Sequence, residues 1–518
     1  MPLLLLSTGL FYSFLRYHAF GSQLSEWDLY LAAIGLWDGY YSGQGVLGLV
    51  HYGKWHSFGY ILLVYALGSQ ETFSPGGHLL LLMNALGFWA TILCLPLLWF
   101  ALATKYGREV AWPATALFIG SPVFLELAGG AHPVLLALSA LLLGAALLWY
   151  PTQGLTQVAL RLCAVIVLGA ALSFRLEVVL AFPFLAMAGS AEQRWQPLVK
   201  DAFVRLCVLF AACAAFLIAR SYFLTNDNDQ SAQFIETWYR LSNVPIGFAA
   251  LSLAVGIASM IALLWLGLQL AREIARDPTW SGRAAQAAPF LAPLSLAVVT
   301  LVFWIANPLP ARHFLLFVLA AAVLIGICMA VQGWPLRRAM ALSAVLIAGN
   351  QVLSAVVNPY VVQASGFAVH RDWPYLLTAP TGFAWDRREM LKQKWSQAMH
   401  AGQVLASGKC GRSVLVSAPL SSAVAAQIAS NRPDAPISYR KLNYGGRTHV
   451  LTEMRVPVHA LIYTRRSLQD PAIPRELLED ASLSEFQVAV ISDRESPPDP
   501  VAIPRNRLAS PLCSKIGT

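Results

Sequence analysis

Long apolar runs alternate with short polar loops over the first two-thirds of the chain. A helix needs about 20 apolar residues to cross the hydrocarbon of a bilayer. Residues 2–20, 77–104, 110–128, 133–150, 157–173, 176–190, 203–224, 246–271, 288–306, 313–332 and 339–357 meet or approach that length. The pattern predicts a mainly α, polytopic membrane bundle of about eleven transmembrane helices. The pair 157–173 and 176–190 is short and is expected to pack deep in the bundle. The run 57–69 is too short to span and is expected at the interface or as a re-entrant segment. The opening stretch "MPLLLLSTGLFYSFLRYHAF" has no charged n-region and no clean small-x-small cleavage site, so it reads as a retained first helix.

From residue 358 the pattern changes. The chain becomes polar and rich in Pro and Arg, and it predicts a soluble α/β unit over 358–518 beside a membrane domain over 1–357. "RSVLVSAPL", "HALIYTRR" and "FQVAVIS" are strand candidates. "WDRREMLKQKWSQAMHAGQVLASG", "SSAVAAQIAS" and "PRELLEDA" are helix candidates. No Gly-rich phosphate loop, internal repeat or low-complexity linker is visible.

Loop charge then orients the bundle. "KYGRE", "AEQRWQPLVKDAFVR", "AREIARDPTWSGR" and "GWPLRR" each hold two or three basic residues, whereas the alternate loops together hold Lys54, Arg240 and Arg312. The positive-inside rule makes the first set cytoplasmic. The residues after about 358 are then expected outside, periplasmic if the membrane is a bacterial inner membrane. Composition agrees: 57% of residues are hydrophobic and 12% charged, against about 25% charged in soluble domains, and the mean hydropathy is +0.57. The net charge of +9 is therefore read as loop charge, with no nucleic-acid partner. Cys94, Cys163, Cys207, Cys213 and Cys328 lie in apolar runs and are expected to be small core residues. Cys410 and Cys513 lie in the tail and could pair in an oxidising compartment.

The candidate chemistry collects in the first outer loop, 21–76. In "SEWDLYLAAIGLWDGYYSG", Glu26 and Asp28 sit two apart just beyond the first span. Acids at a membrane edge are costly and commonly functional. Two carboxylates can hold a divalent metal, or one can act as general base while the other tunes it. The plainer alternative is a solvated pair favoured by a helix N-terminus. Asp38, before Gly39, reads as a turn residue. His51, His56 and His78 fit no helix-borne or finger spacing for metal. Trp37, Tyr40, Tyr41 and Trp55 suit sugar stacking or an interfacial aromatic belt equally. Glu126 and His132 flank an outer turn. Asp227, Asp229, Glu236 and Arg240 belong to a longer polar loop. Arg175 and Glu177, between the two short spans, read either as a charged substrate contact or as an internal ion pair bracing the turn.

The order of these features resembles a family. An outward acid after the first helix, juxtamembrane helices in the first loop and about ten further spans look like the integral-membrane glycosyltransferases of the GT-C fold. The nearer likeness is to the bacterial branch of glycosyltransferase family 39 and the aminoarabinose transferases. "SEWD" supplies the acid. "HYGKWHSFGYILLVYAL" stands where a His-Pro-Pro motif is expected, without its prolines. "GAALSFRLEVVLAFPFL" and "NPLPARHFLLFVLA" match the Arg-bearing middle helices and a late-span motif. The resemblance covers roughly residues 1–357.

What the resemblance implies is transfer of a sugar, with inversion, from a polyprenyl-phosphate donor to a hydroxyl of a lipid, polysaccharide or protein at the outer face. Asp28 would be the general base and Glu26 an auxiliary acid or a ligand for a divalent metal such as Mg or Mn. Lys54, His56, Arg175, Arg312 and His313 would face the donor phosphate. Two rivals stand beside it. A surface-polysaccharide polymerase or ligase needs a long late outer loop, where this chain has only "NPLPARHF". A non-enzymatic transporter or flippase of the polyprenyl lipid tends to show two related halves and helix breaks at mid-membrane.

Overall fold

The protein is described by a computed structural model that covers residues 6–11, 58–69, 79–128, 130, 133–188, 195–223, 244–276, 280–304, 314–364, 413–417, 438–442, 460–464 and 487–491. It is mainly helical. The chain divides into two compact units. The first comprises Met1–Ser25, Leu36–Ala66 and Leu80–Arg387 and carries the helices; the second comprises Glu26–Gly35, Leu67–Leu79 and Arg388–Thr518 and carries the strands.

In the first unit α1 (Phe58–Leu67) precedes α2 (Leu79–Tyr106), α3 (Arg108–Ile119), α4 (Pro122–Leu127), α5 (Pro133–Trp149) and α6 (Gly154–Phe174). A 3-10 segment, Leu176–Ala181, leads into α7 (Phe182–Met187). Then come α8 (Trp195–Phe223), α9 (Val244–Val255), α10 (Ile257–Arg276), α11 (Trp280–Trp304), α12 (Leu315–Val331) and α13 (Leu336–Ala364). Among the described residues, three stretches are long and apolar enough to cross a membrane: Leu81–Tyr106, Gly154–Phe174 and Val199–Ser221. Shorter apolar helices fill other runs, among them Pro133–Trp149 and Leu315–Val331. The chain therefore reads as a membrane protein. Its lipid-ready surface is visible on α6 and α8, where Leu155, Leu162, Ile166, Phe203, Phe210 and Ile218 are exposed.

The centre of the bundle is α12. Every residue from Leu315 to Met329 is buried, as expected of a helix that is apolar all round. It packs against α3, α9, α10 and α11. The segment 57–69 forms α1, with Phe58, Tyr60, Ile61 and Val64 buried, so it is a packed element and not a loop.

Two apolar runs that read as single spans are broken. The run 110–128 is α3 and α4, parted at Gly120 and Ser121. Ser121 caps α4: its hydroxyl accepts from the Phe124 N–H at 3.3 Å and donates to the Phe118 carbonyl at 2.7 Å. Pro122 opens α4, where its missing N–H costs nothing. The run 246–271 is α9 and α10, parted at Gly256, whose φ of +97° suits only glycine. The run 176–190 is the 3-10 segment and α7, twelve residues in place of a full span.

Side chains from other helices close these breaks. Arg205 lies in α8 and is buried, although "AEQRWQPLVKDAFVR" reads as a solvated loop. Its Nη1 donates to the carbonyls of Ala188 at 2.6 Å and Ala186 at 3.3 Å, capping the end of α7. Trp149 Nε1 donates to the Leu185 carbonyl at 3.3 Å. The expectation that the apolar-run cysteines are core residues holds for Cys94 and Cys328 and is corrected for Cys163 and Cys207. Those two are exposed, because they share the outward faces of α6 and α8 with Leu162 and Phe210.

In the second unit four strands, β1 (Ser413–Ser417), β2 (Ser438–Leu442), β3 (Ala460–Thr464) and β4 (Gln487–Ile491), form one parallel sheet in the order β2-β1-β3-β4. Three strands fall inside the apolar candidates. β2, "SYRKL", has no apolar run to announce it, because it is an edge strand carrying Arg440 and Lys441. The helix candidates between the strands lie outside the described residues, as do Cys410 and Cys513.

Arg205→Ala is expected to leave the two carbonyls at the end of α7 without a donor. The variant should lose about 1–3 kcal/mol, seen as a lower unfolding midpoint in detergent, and Arg205→Lys should recover part of it.

Candidate functional site

Arg175 is the candidate residue whose surroundings are best defined. α6 ends at Phe174, and the Arg175 backbone turns to extended geometry, φ −154° and ψ 121°. Its N–H still donates to the Ala171 carbonyl at 3.0 Å, and its own carbonyl accepts from Val178 at 3.3 Å. The side chain thus stands at a junction of two helical segments. Its guanidinium meets Glu177 in a fork: Nε donates to Oε2 at 2.7 Å and Nη2 donates to Oε1 at 2.6 Å. The Arg175 side chain is 4% exposed and that of Glu177 is 24% exposed. The ion-pair reading of these residues is therefore present in the structure. A bidentate fork also fixes the guanidinium plane, which is the geometry that recognises carboxylates and phosphates.

α1 closes against this junction. Gly59 backs onto the Ser173 hydroxyl, so closely that any side chain there would displace it. Phe58 meets Phe216 of α8 with ring centroids 5.8 Å apart. The start of α1 is therefore wedged between the ends of α6 and α8, beside Arg175.

A residue that loop-based reasoning missed, Arg220, lies in the last turn of α8. Two contacts set the register between α6 and α8. Arg161 is within Coulombic range of Arg205, and a methyl group at Gly169 would sit 3.6 Å from the Ala212 carbonyl. The two helices run in the same direction, and Arg220 lies one turn beyond Phe216, the residue of α8 that meets Phe58. The signal was available: a charge inside an apolar run is expensive and commonly functional.

The other candidates, Glu26, Asp28, Lys54, His56, Arg312 and His313, lie outside the described residues. So do Asp38, His51, His78, His132, Asp227, Asp229, Glu236, Arg240, the aromatic residues of the first loop and the side chain of Glu126. Among the described residues no group of three or more His, Cys, Asp or Glu side chains is placed to hold a metal ion.

Glu177→Gln removes the charge opposite a buried guanidinium and is expected to cost roughly 1–3 kcal/mol. The double variant Arg175→Met, Glu177→Met removes both charges and should be the more stable of the two in the same detergent melt.

The chain matches no protein family, no curated protein and no solved structure.

Proposed function

We propose that the protein is a membrane glycosyltransferase. It moves a sugar from a polyprenyl-phosphate donor to an acceptor hydroxyl of a lipid, polysaccharide or protein at the outer face of a bacterial inner membrane. The reading takes the helices as a GT-C-like bundle of about eleven spans with its basic loops inside. It takes the sheet as the core of an extracytoplasmic α/β domain.

The observation that supports it most is the wedge of α1. The first loop carries Glu26, Asp28, Lys54 and His56, and it runs into a helix seated beside Arg175. Lys54 precedes Phe58 by four residues, which span at most about 14 Å.

Depth supports it too. Arg175 follows Arg161 by fourteen residues, about 21 Å along a helix, and Arg220 follows Arg205 by fifteen, about 22 Å. The hydrocarbon is about 30 Å thick. The reading takes Arg161 and Arg205 as the inner edge; both outer guanidinium groups would then stand below the outer surface, at the level of a lipid-linked phosphate drawn between helices.

In this reading Asp28 accepts the proton of the acceptor hydroxyl as it attacks the anomeric carbon, and Glu26 tunes that carboxylate or shares a divalent metal. The polyprenyl phosphate leaves, its charge stabilised by Lys54, Arg175, Arg220 and Arg312, with His56 and His313 as neighbouring donors.

A second reading, a carrier of the same lipid-linked sugar, draws on the two helices broken beside α13, a geometry used by membrane carriers at their binding sites.

Asp28→Asn separates the two. Purified protein in proteoliposomes, given polyprenyl-phosphate sugar and acceptor, should release polyprenyl phosphate. The variant should retain donor binding and its unfolding midpoint while transfer falls at least about 100-fold. Full turnover in the variant would remove Asp28 from the mechanism. Translocation without sugar release by the wild type would favour the carrier.

A further inference from the structure

The strongest unexplained feature is a pair of adjacent amides on an apolar helix. Asn350 and Gln351 of α13 each address a different broken helix. Asn350 Oδ1 accepts from the Ser259 N–H at 3.0 Å, and its Nδ2 donates to the Ser259 hydroxyl at 2.8 Å. Asn350 thereby caps the first turn of α10 from outside its own chain segment, a role normally filled by the residue just before a helix. The capping amide occupies the space a side chain at position 256 would take, so Gly256 is required both by its φ and by Asn350. Gln351 Nε2 donates to the Gly120 carbonyl at 3.4 Å, a long bond, at the junction of α3 and α4. One residue of α13 thus reaches each break, and the two breaks share one level.

The short pieces beyond the breaks also meet each other. α4 packs on α9, besides its junction with α3. Across the first break the only covalent link is Gly120–Ser121, bridged by the Ser121 hydroxyl and by the Phe118–Phe124 ring pair at 5.3 Å. Across the second the link is Gly256, with Gly256 N–H on the Ser252 carbonyl at 2.9 Å and Met260 N–H on the Gly256 carbonyl at 3.0 Å. Each piece therefore has a glycine hinge at the same height, a neighbour moving with it, and a side chain of α13 holding its hinge.

We propose that α4 and α9 are one pivoting body, hinged at Gly120 and Gly256 and latched by Asn350 and Gln351 of α13. Released from the latch, the two pieces tilt together and open the bundle on their side. Asn350 contacts the Gly256 break and Gln351 donates to the Gly120 carbonyl, each amide on a different hinge. The proposal therefore requires that loosening one hinge loosens the other.

Hydrogen exchange of the full chain in lipid nanodiscs reads this directly and needs neither substrate nor activity. Asn350→Leu removes the cap on Ser259. Amide exchange should rise roughly tenfold in residues 252–260 and by a comparable factor in residues 121–128, while α2 and α12 keep their protection. The reciprocal variant, Gln351→Leu, should raise exchange in both segments as well. A rise confined to 252–260, or none in either segment, overturns the coupled body. If Asn350→Leu does not fold, Ser259→Ala removes only the hydroxyl acceptor; it should raise both segments together by a few-fold, and a local rise alone overturns the proposal equally. Failure here would leave the glycosyltransferase reading intact, since that rests on Asp28 and on transfer.

Discussion

In hydrocarbon a backbone N–H or carbonyl without a partner costs several kcal/mol, because no water can replace the missing bond. This bundle breaks its helices repeatedly and so meets that cost repeatedly. Each break is answered by a side chain. Ser121 and Gln351 serve the one at Gly120, and Asn350 serves the one at Gly256. Arg205 and Trp149 take the carbonyls at the end of α7. Apart from Ser121, each of these comes from a helix other than the one it serves. The partners that satisfy the backbone therefore also tie the helices into one body, and the polar residues of the interior are placed where the backbone needs them.

Much of this was legible as pattern and little of it as detail. Apolar runs marked where helices form, because run length and burial are set by the same residues. "IGSP" at 119–122 carries a helix stop, a cap and a helix start in consecutive letters. Gly256 is different: "AVGIAS" differs little from glycine inside a packed helix, and only the reach of Asn350, ninety-four residues on, makes it a break. Arg205 was misplaced for a related reason. A basic residue at the edge of an apolar run looks like loop charge unless the carbonyls it serves are known, and these belong to a segment seventeen and nineteen residues away. β2 escaped because an edge strand keeps charge on its surface, which erases the apolar run that gives parallel strands away.

The candidate site divides along the same line. Arg175 and Glu177 were legible as a pair, since two opposite charges two residues apart in an apolar setting must answer each other. Arg220 was not, because it lies in the last turn of a helix that the apolar run announces only as a span. The acids of the first loop are expected by the opposite logic, from their cost at a membrane edge and from the resemblance, and lie outside the described residues.

The candidate Arg175–Glu177 pair sits where α6, a full-length span, meets the short segment that follows it. Only thirteen residues separate Arg161 from Arg175 on α6. The return path through the 3-10 segment and α7 is shorter than a full span. The Arg175 side chain is 4% exposed at this junction. There a fixed positive charge acts in a low dielectric and is worth far more than at the surface. The bidentate Glu177 answers that charge, so the guanidinium stays buried without another anion. α1 seats against the same junction, with Gly59 backing onto Ser173.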